Sequence, residues 1–141
     1  MFFGNNVQDT RQFFFTSWRK YCSKEVLTPL EKQLVDVIIA HPEYHSLLEN
    51  NNSYFTEQYF PEMGQTNPYL HMGLHLAIRE QVTTNRPAGM TKRFEELVKH
   101  YQDPLLVEHK MMDCLAECLW QAQRNQMPPD EKAYMLALEQ L

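Results

Sequence analysis

The sequence predicts an all-α fold: one domain over residues 1–141, an irregular helical bundle of about five to six helices with a long aromatic-rich loop before the central helix. Three observations indicate this fold. Capping residues followed by proline, a typical helix start, recur at Thr28-Pro29, Asn67-Pro68 and Asp103-Pro104. Apolar residues return at helical spacing, without the period of two that indicates strands. With 141 residues and 43% hydrophobic content, the chain can bury a real core.

The first two helices are predicted at residues 6–22 and at residues 28–40. The first helix carries one arc of Val7, Phe14, Trp18, Tyr21 and Cys22, with Phe15 at its edge. An aromatic stripe at this spacing is typical of a core. Thr28 and Glu31 have the spacing of a capping box around Pro29. The second helix is expected to bury Leu30, Leu34, Val37 and Ile38.

Pro42 interrupts the second helix, and a short helix is expected from there to Leu48. His41 and His45 flank this break, and we interpret them as capping or surface groups. Whether they join the histidines of the central helix is left open by the sequence. The connection over residues 50–64 is long for a compact domain. We expect it to lie along the bundle and to bury its rings, which are Tyr54, Phe55, Tyr59 and Phe60.

The central helix is predicted from Pro68 to Val82, with Asn67 as its cap. Apolar residues reach most of the way round it, so we expect it to pack on several sides. His71 and His75 are one turn apart and leave the same face. Such a pair can hold one metal ion, or the two rings can be core histidines that are hydrogen-bonded to carbonyls, carboxylates or each other.

Three more helices are predicted after the central one. The first covers residues 90–101 and has an inner face of Phe94, Leu97, Val98 and Tyr101. The second covers residues 103–126 and has an apolar face of Met111, Met112, Leu115, Cys118, Leu119 and Ala122. The third is expected to start at Pro128-Pro129 and to bury Tyr134, Leu138 and Leu141.

Glu108 is a carboxylate inside the apolar arc of its helix, between Leu115 and Leu119 in projection. A buried carboxylate has to be protonated, paired or bound to a cation. The sequence therefore leaves two hypotheses for the same side chains. One is a buried polar network with Arg79 that fixes helix register. The other is a site for a divalent metal (zinc, iron or manganese) whose ligands are His71, His75, Glu108 and His109.

Composition limits the classes of partner. The formal net charge is −5, and no run of Lys and Arg offers the basic patch that nucleic acid requires. We expect no membrane span, because no stretch of about 18 apolar residues occurs. The N-terminus lacks the pattern of a signal peptide. An odd number of cysteines without a C-x-x-C pair indicates a reducing compartment, hence the cytoplasm. A protein partner is possible, and the oligomeric state is not indicated.

Several segments resemble a family of short bacterial proteins known only as a domain of unknown function, family 1841. They are MFFGN at 1–5, HPEYH at 41–45, GQTNPYLHMGLHLAIREQ at 64–81, NRPAG at 85–89, EHKMMDCL at 108–115 and LWQAQ at 119–123. The resemblance implies a bacterial intracellular protein and carries over no catalytic residue. In residue type and fold class alone, the repeated histidines are also similar to helical-bundle metal hydrolase-like proteins of the damage-inducible type.

Two functions are therefore expected from the sequence. The first is a small cytoplasmic helical protein that acts through binding or assembly, with His71, His75 and Glu108 in a buried network. The second is a metal-binding helical bundle, possible as a metal-dependent hydrolase-like protein. Measurement of bound metal distinguishes them.

Overall fold

The all-α prediction is confirmed. The structure, a computed structural model, describes residues 7–49 and 67–141, and every regular element within those ranges is helical. The predicted aromatic-rich loop lies outside the described residues. The α-helices are α1 Val7–Cys22, α2 Pro29–Ile39, α3 His45–Glu49, α4 Pro68–Thr84, α5 Met90–Tyr101, α6 Pro104–Asn125 and α7 Glu131–Glu139. The chain divides into two compact units, Met1–Gly73 and Leu74–Leu141, which are described separately.

The first unit is built on α1 and α2. Helix α2 starts with the predicted capping box: the Thr28 hydroxyl accepts from the Glu31 backbone N–H at 3.2 Å, and the Glu31 carboxylate accepts from the Thr28 N–H at 2.8 Å. Lys20 of α1 forms a 3.0 Å ion pair with Glu31. The core of this unit contains Phe14, Phe15, Trp18, Leu34, Val35, Val37, Ile38 and Leu48. Most of these residues were predicted from helical spacing.

Two predicted core positions at the end of α1 are wrong. Tyr21 is 43% exposed and Cys22 is exposed, although both share the aromatic arc in projection. The Tyr21 ring stacks on Trp18 with centroids 5.3 Å apart, so Trp18 takes the buried position and Tyr21 covers it from outside. Leu30 of α2, also predicted to be inward, is half-buried. A helical projection predicts which way a side chain points. Whether that side chain is buried depends also on the neighbouring elements that cover it.

Between α2 and α3 the chain forms a 3₁₀ turn, Pro42–Tyr44, and α3 follows without a gap. This agrees with the predicted break and short helix. His41 and His45 donate ring N–H groups to carbonyls at the end of α2, at 2.8 Å from Val37 O and 2.8 Å from Ile38 O respectively. Their interpretation as capping groups is thereby confirmed. A surface position for His41 is wrong, since only 5% of this residue is exposed.

Helix α4 begins at Pro68 as predicted and extends two residues further than expected, to Thr84. The Asn67 side chain accepts from the backbone N–H groups of Tyr69 and Leu70, at 3.0 and 3.2 Å. The helix buries residues on several sides, as its sequence indicates, and these are Tyr69, Met72, His75, Leu76 and Ile78.

The second unit contains the rest of α4 with α5, α6 and α7. Helix α5 has the predicted bounds, and α6 starts at the predicted Asp103-Pro104, where the Asp103 carboxylate accepts from Leu106 N–H. The core of this unit contains Ile78, Met90, Leu97, Val107, Met111, Met112, Leu115, Tyr134 and Leu138. Phe94, Val98 and Tyr101 of the predicted α5 face pack against that core.

Two predictions for the second unit are wrong. Leu119 is 44% exposed, because the 22-residue helix α6 extends beyond the small core. The last buried residue of α6 is Leu115. Helix α7 starts at Glu131 and not at the two prolines, because the Asp130 carboxylate accepts from Ala133 N–H and acts as the cap. A cap with a side-chain acceptor fixes the first turn more strongly than proline alone does.

Candidate metal centre

His75 is the most deeply buried titratable side chain of the candidate site. Its exposed fraction is 0%, and it leaves α4 toward α6 within the second unit. Its Nδ1 lies 2.7 Å from Oε1 of Glu108. An ionised carboxylate only accepts hydrogen bonds, so Nδ1 donates here. In the neutral ring, the lone pair is then on Nε2, the nitrogen that can bind a metal.

Glu108 was predicted to be buried and either protonated, paired or bound to a cation, and the structure shows it buried and paired. It is 7% exposed, and Arg79 Nε donates to both of its oxygens, at 3.2 and 3.0 Å. Burial raises the pKa of Glu108, but the hydrogen bond from His75 and the charge and hydrogen bonds of Arg79 outweigh burial and hold that pKa below 4.5. Glu108 is therefore an anion that orients His75 and is itself held by Arg79.

His109 follows Glu108 on α6 and meets the other side of the His75 ring. The two Nε2 atoms are 3.0 Å apart, and the ring centroids are 4.7 Å apart at an angle of 69°. Two nitrogens on one tetrahedral zinc, each about 2.05 Å from the ion, are about 3.3 Å apart. The pair therefore needs to open by only a few tenths of an ångström to bind one ion through both Nε2 atoms.

A second histidine pair lies in the first unit. The ring of His41 is 5.1 Å from that of His71, edge to face, and it stacks on Tyr44 at 5.6 Å with 8° between the planes. The hydrogen bond from His41 Nδ1 to Val37 O fixes the same tautomer as in His75. Both histidines thus have Nδ1 anchored and Nε2 as the nitrogen with the lone pair.

Helix α4 carries His71 and His75 one turn apart, as predicted. Each unit therefore contains one pair of contacting histidines, His41 with His71 in the first and His75 with His109 in the second. We call the second pair, which can offer two ring nitrogens to a metal ion, the histidine cluster. Glu108 is not in the cluster, because its carboxylate contacts the opposite nitrogen of His75.

A family model described as "Domain of unknown function (DUF1841)" matches residues 6–140. The chain belongs to this family. Its match covers both histidines of the cluster and confirms the resemblance found in the sequence. No curated protein and no solved structure matches the chain. Over the described ranges, no helix of this family member is both long enough and apolar enough to cross a membrane.

Three of the four predicted site residues in this DUF1841 chain are brought into contact: His75, Glu108 and His109. The fourth, His71, has the predicted place on α4, where it contacts His41. The sequence left open whether His41 joins the central histidines, and its place at the end of a helix indicated a cap. In the first unit its ring contacts that of His71, 30 residues further along the chain. That these residues bind a metal remains a prediction.

Proposed function

We propose that this protein binds one divalent metal ion through the Nε2 atoms of His75 and His109. The observation that carries the proposal is the 3.0 Å separation of these two atoms, with Nδ1 of His75 anchored by its donation to the Glu108 carboxylate at 2.7 Å. Histidines that bind metals are typically held in this way, with the second nitrogen donating to a carboxylate or carbonyl.

The donor set favours zinc among the metals expected from the sequence. Imidazole ligands suit zinc, iron, copper or nickel, whereas manganese prefers oxygen ligands and binds nitrogen sites most weakly. Two ring nitrogens supply half of a tetrahedral zinc coordination sphere. The arrangement therefore supports a metal-binding role.

Arg79 does not weigh against a cation as strongly as its charge alone indicates. Its Nε is 3.0 Å from Glu108, so the guanidinium and the carboxylate compensate each other beside the cluster. Glu108 in turn accepts from Nδ1–H of His75 and orients that ring. A dication bound at Nε2 of His75 therefore meets an oriented ligand and a neighbouring ion pair of no net charge.

The test is the metal content of untagged protein purified without chelators, with zinc, iron and manganese measured for each chain. We expect about one metal per chain, and higher thermal stability when zinc is added to the apoprotein. His109→Asn should lose the metal and stay folded, because His109 is half-buried. His100→Asn, on the exposed side of α5, is the matched control and should retain the metal.

Cobalt substitution gives a second measurement, because tetrahedral Co²⁺ with nitrogen ligands has visible absorption that reports coordination directly. The band should appear at one equivalent in the unmodified protein and in His100→Asn, and be lost in His109→Asn. Protein without bound metal, unchanged in melting temperature with zinc, iron or manganese, would contradict the proposal.

That contradicting result would favour the second function expected from the sequence, a binding or assembly module. The specific observation in its favour is the pair of hydrogen bonds from Arg79 to Glu108, which completes a network that needs no metal. In that case Nε2 of His75 and Nε2 of His109 share one proton at 3.0 Å. We place either function in a bacterial cytoplasm, since Cys22 is an exposed free thiol and suits a reducing compartment.

A further inference from the structure

A cavity of about 600 Å³ lies against α6 and α7 in the second unit, and no histidine is among the described residues that line it. Its volume is within the range of sites for small molecules, about 300–1,000 Å³. Small and apolar side chains line most of it: Cys114, Cys118, Ala122, Met127, Tyr134 and Ala137. The proposed metal function does not use any of these residues.

The two thiols and the tyrosine hydroxyl of this lining carry no charge. Burial raises the pKa of the Cys114 thiol, helped by the charge of Asp113, and burial also raises that of Cys118. Both side chains are therefore thiols and not thiolates at neutral pH. The Tyr134 hydroxyl donates to Oε1 of Gln81 at 2.7 Å. The interior of the cavity consequently offers apolar contact and no fixed charge.

Charge is concentrated at the edge of the cavity and is mostly negative. Asp113, Glu117 and Asp130 line the cavity together with Lys110, so three negative charges face one positive charge. The Lys110 ammonium lies 4.9 Å from the centre of the Tyr101 ring and is attracted to that ring. A ligand in the cavity therefore meets an apolar interior and a net charge of −2 (one minus three) at its edge.

We propose that this cavity binds a small amphiphilic cation, a molecule with an apolar body and one amine or quaternary ammonium group. The apolar body fills the space beside Cys114 and Cys118, and the cationic group lies near Asp113 and Glu117. Charge complementarity selects this class over an amphiphilic anion of the same shape. A neutral apolar compound would gain the same burial without the electrostatic attraction.

The two thiols of the lining allow binding to be measured at the cavity itself. Decyltrimethylammonium is the probe and decyl sulfate the anion with the same chain, both below their micelle concentrations. Alkylation of Cys114 and Cys118 by iodoacetamide should slow about tenfold when the cation is at ten times its Kd. Cys22, exposed in the first unit, is the internal control and should react at an unchanged rate.

Two pairs of variants locate the site. Ala133→Trp places a large ring in the cavity lining and should abolish protection, whereas Leu136→Trp, exposed on the same helix outside the lining, should retain it. The double change Asp113→Asn and Glu117→Gln should weaken cation binding about tenfold at low salt and leave decyl sulfate unaffected or slightly tighter. Glu95→Gln on α5 is the matched charge control.

Equal protection by the cation and the anion would overturn the proposed selectivity, and equal protection of Cys22 would show general adsorption in place of a site. The absence of protection of both cavity thiols would overturn the proposal entirely. None of these outcomes depends on bound metal, so they leave the proposed function of the histidine cluster untouched.

Discussion

Helix α6 carries two surfaces, about two turns apart, that bury opposite kinds of groups. Around Glu108 and His109, charged and polar atoms are buried, and each has a hydrogen bond of 3.2 Å or less to a side chain of α4. Around Cys114 and Cys118, the helix faces an apolar cavity, and the Cys118 thiol has only a weak 3.8 Å contact to the Asp130 carbonyl.

The difference shows what a buried polar group needs. Glu108 stays ionised because Arg79 and His75 replace the water it has lost. The two thiols stay protonated because burial and the neighbouring carboxylates disfavour a thiolate. The first surface can position a ligand for a metal, and the second can accept an apolar molecule. The following substitutions and measurements test this difference between the two surfaces, from the largest expected effect to the smallest.

Removal of Arg79 should have the largest effect on stability. Arg79→Met leaves the buried Glu108 carboxylate with His75 as its remaining ionic partner. We expect a loss of about 2–3 kcal/mol in the free energy of unfolding of the apoprotein, below the usual cost of breaking a buried pair because Arg79 is a quarter exposed. Denaturant unfolding measures it. The control Arg19→Met, at an exposed position of α1, should change the free energy of unfolding by less than about 0.5 kcal/mol. A loss in Arg19→Met as large as that in Arg79→Met would contradict the role of the Arg79–Glu108 pair.

The Glu108 carboxylate should contribute to metal affinity through His75. Glu108→Gln keeps the shape but weakens the acceptor of the His75 Nδ1–H. Loss of such a partner typically lowers metal affinity about 10–100-fold, without a change in the number of ions bound. Competition with a zinc chelator measures the affinity. Glu117→Gln, exposed on the same helix, is the matched control, and a similar loss in it would show a general charge effect.

The hydrogen bond of Tyr134 to Gln81, beside the cavity, should contribute less to stability than the network around Glu108. Tyr134→Phe removes the hydroxyl that donates to Gln81 at 2.7 Å and leaves the ring in the core. We expect a loss of about 1 kcal/mol in unfolding free energy, the usual net value of a neutral hydrogen bond. The control Tyr21→Phe, on a half-exposed ring, should leave the free energy of unfolding nearly unchanged. A loss above that of Arg79→Met would reverse the ranking of the two surfaces.

Helix starts were predictable because their chemistry is local. Thr28, Asn67 and Asp103 each accept from backbone groups two or three residues ahead, so a few letters of sequence contain the whole interaction. The start of α7 was missed where a local competitor, Asp130, outweighed two prolines. Burial was less predictable, because the exposure of Tyr21 and Leu119 depends on where neighbouring helices end.

The candidate site was predictable in part for the same reason. His71 and His75 share a helical face, and Glu108 is a charge in an apolar arc, so periodicity alone identifies all three. That Glu108 orients His75, instead of joining the histidines, depends on which ring nitrogen it reaches. The contact of His41 with His71 in the first unit joins distant parts of the sequence, and the Val37 carbonyl that anchors His41 has no sequence signal.

The smallest effect concerns the thiols of the cavity surface. Burial raises the pKa values of Cys114 and Cys118 above the ordinary 9.0. A thiolate attacks iodoacetamide and displaces iodide, so these two thiols should be alkylated more slowly than a small-molecule thiol at every pH below about 9. Mass spectrometry of alkylation rates against pH measures this, with the chain in denaturant as the control that restores ordinary reactivity.

The same shift fixes the sign of a stability change with pH. Folded chains hold these two thiol protons more tightly than unfolded chains do, so their contribution to stability is complete below the ordinary pKa of 9.0 and declines as pH rises through the folded values. Cys114→Ala together with Cys118→Ala should flatten that decline. Thiols that react fastest near neutral pH would instead reveal a cation beside them, and the contrast between the two surfaces of α6 would then be lost.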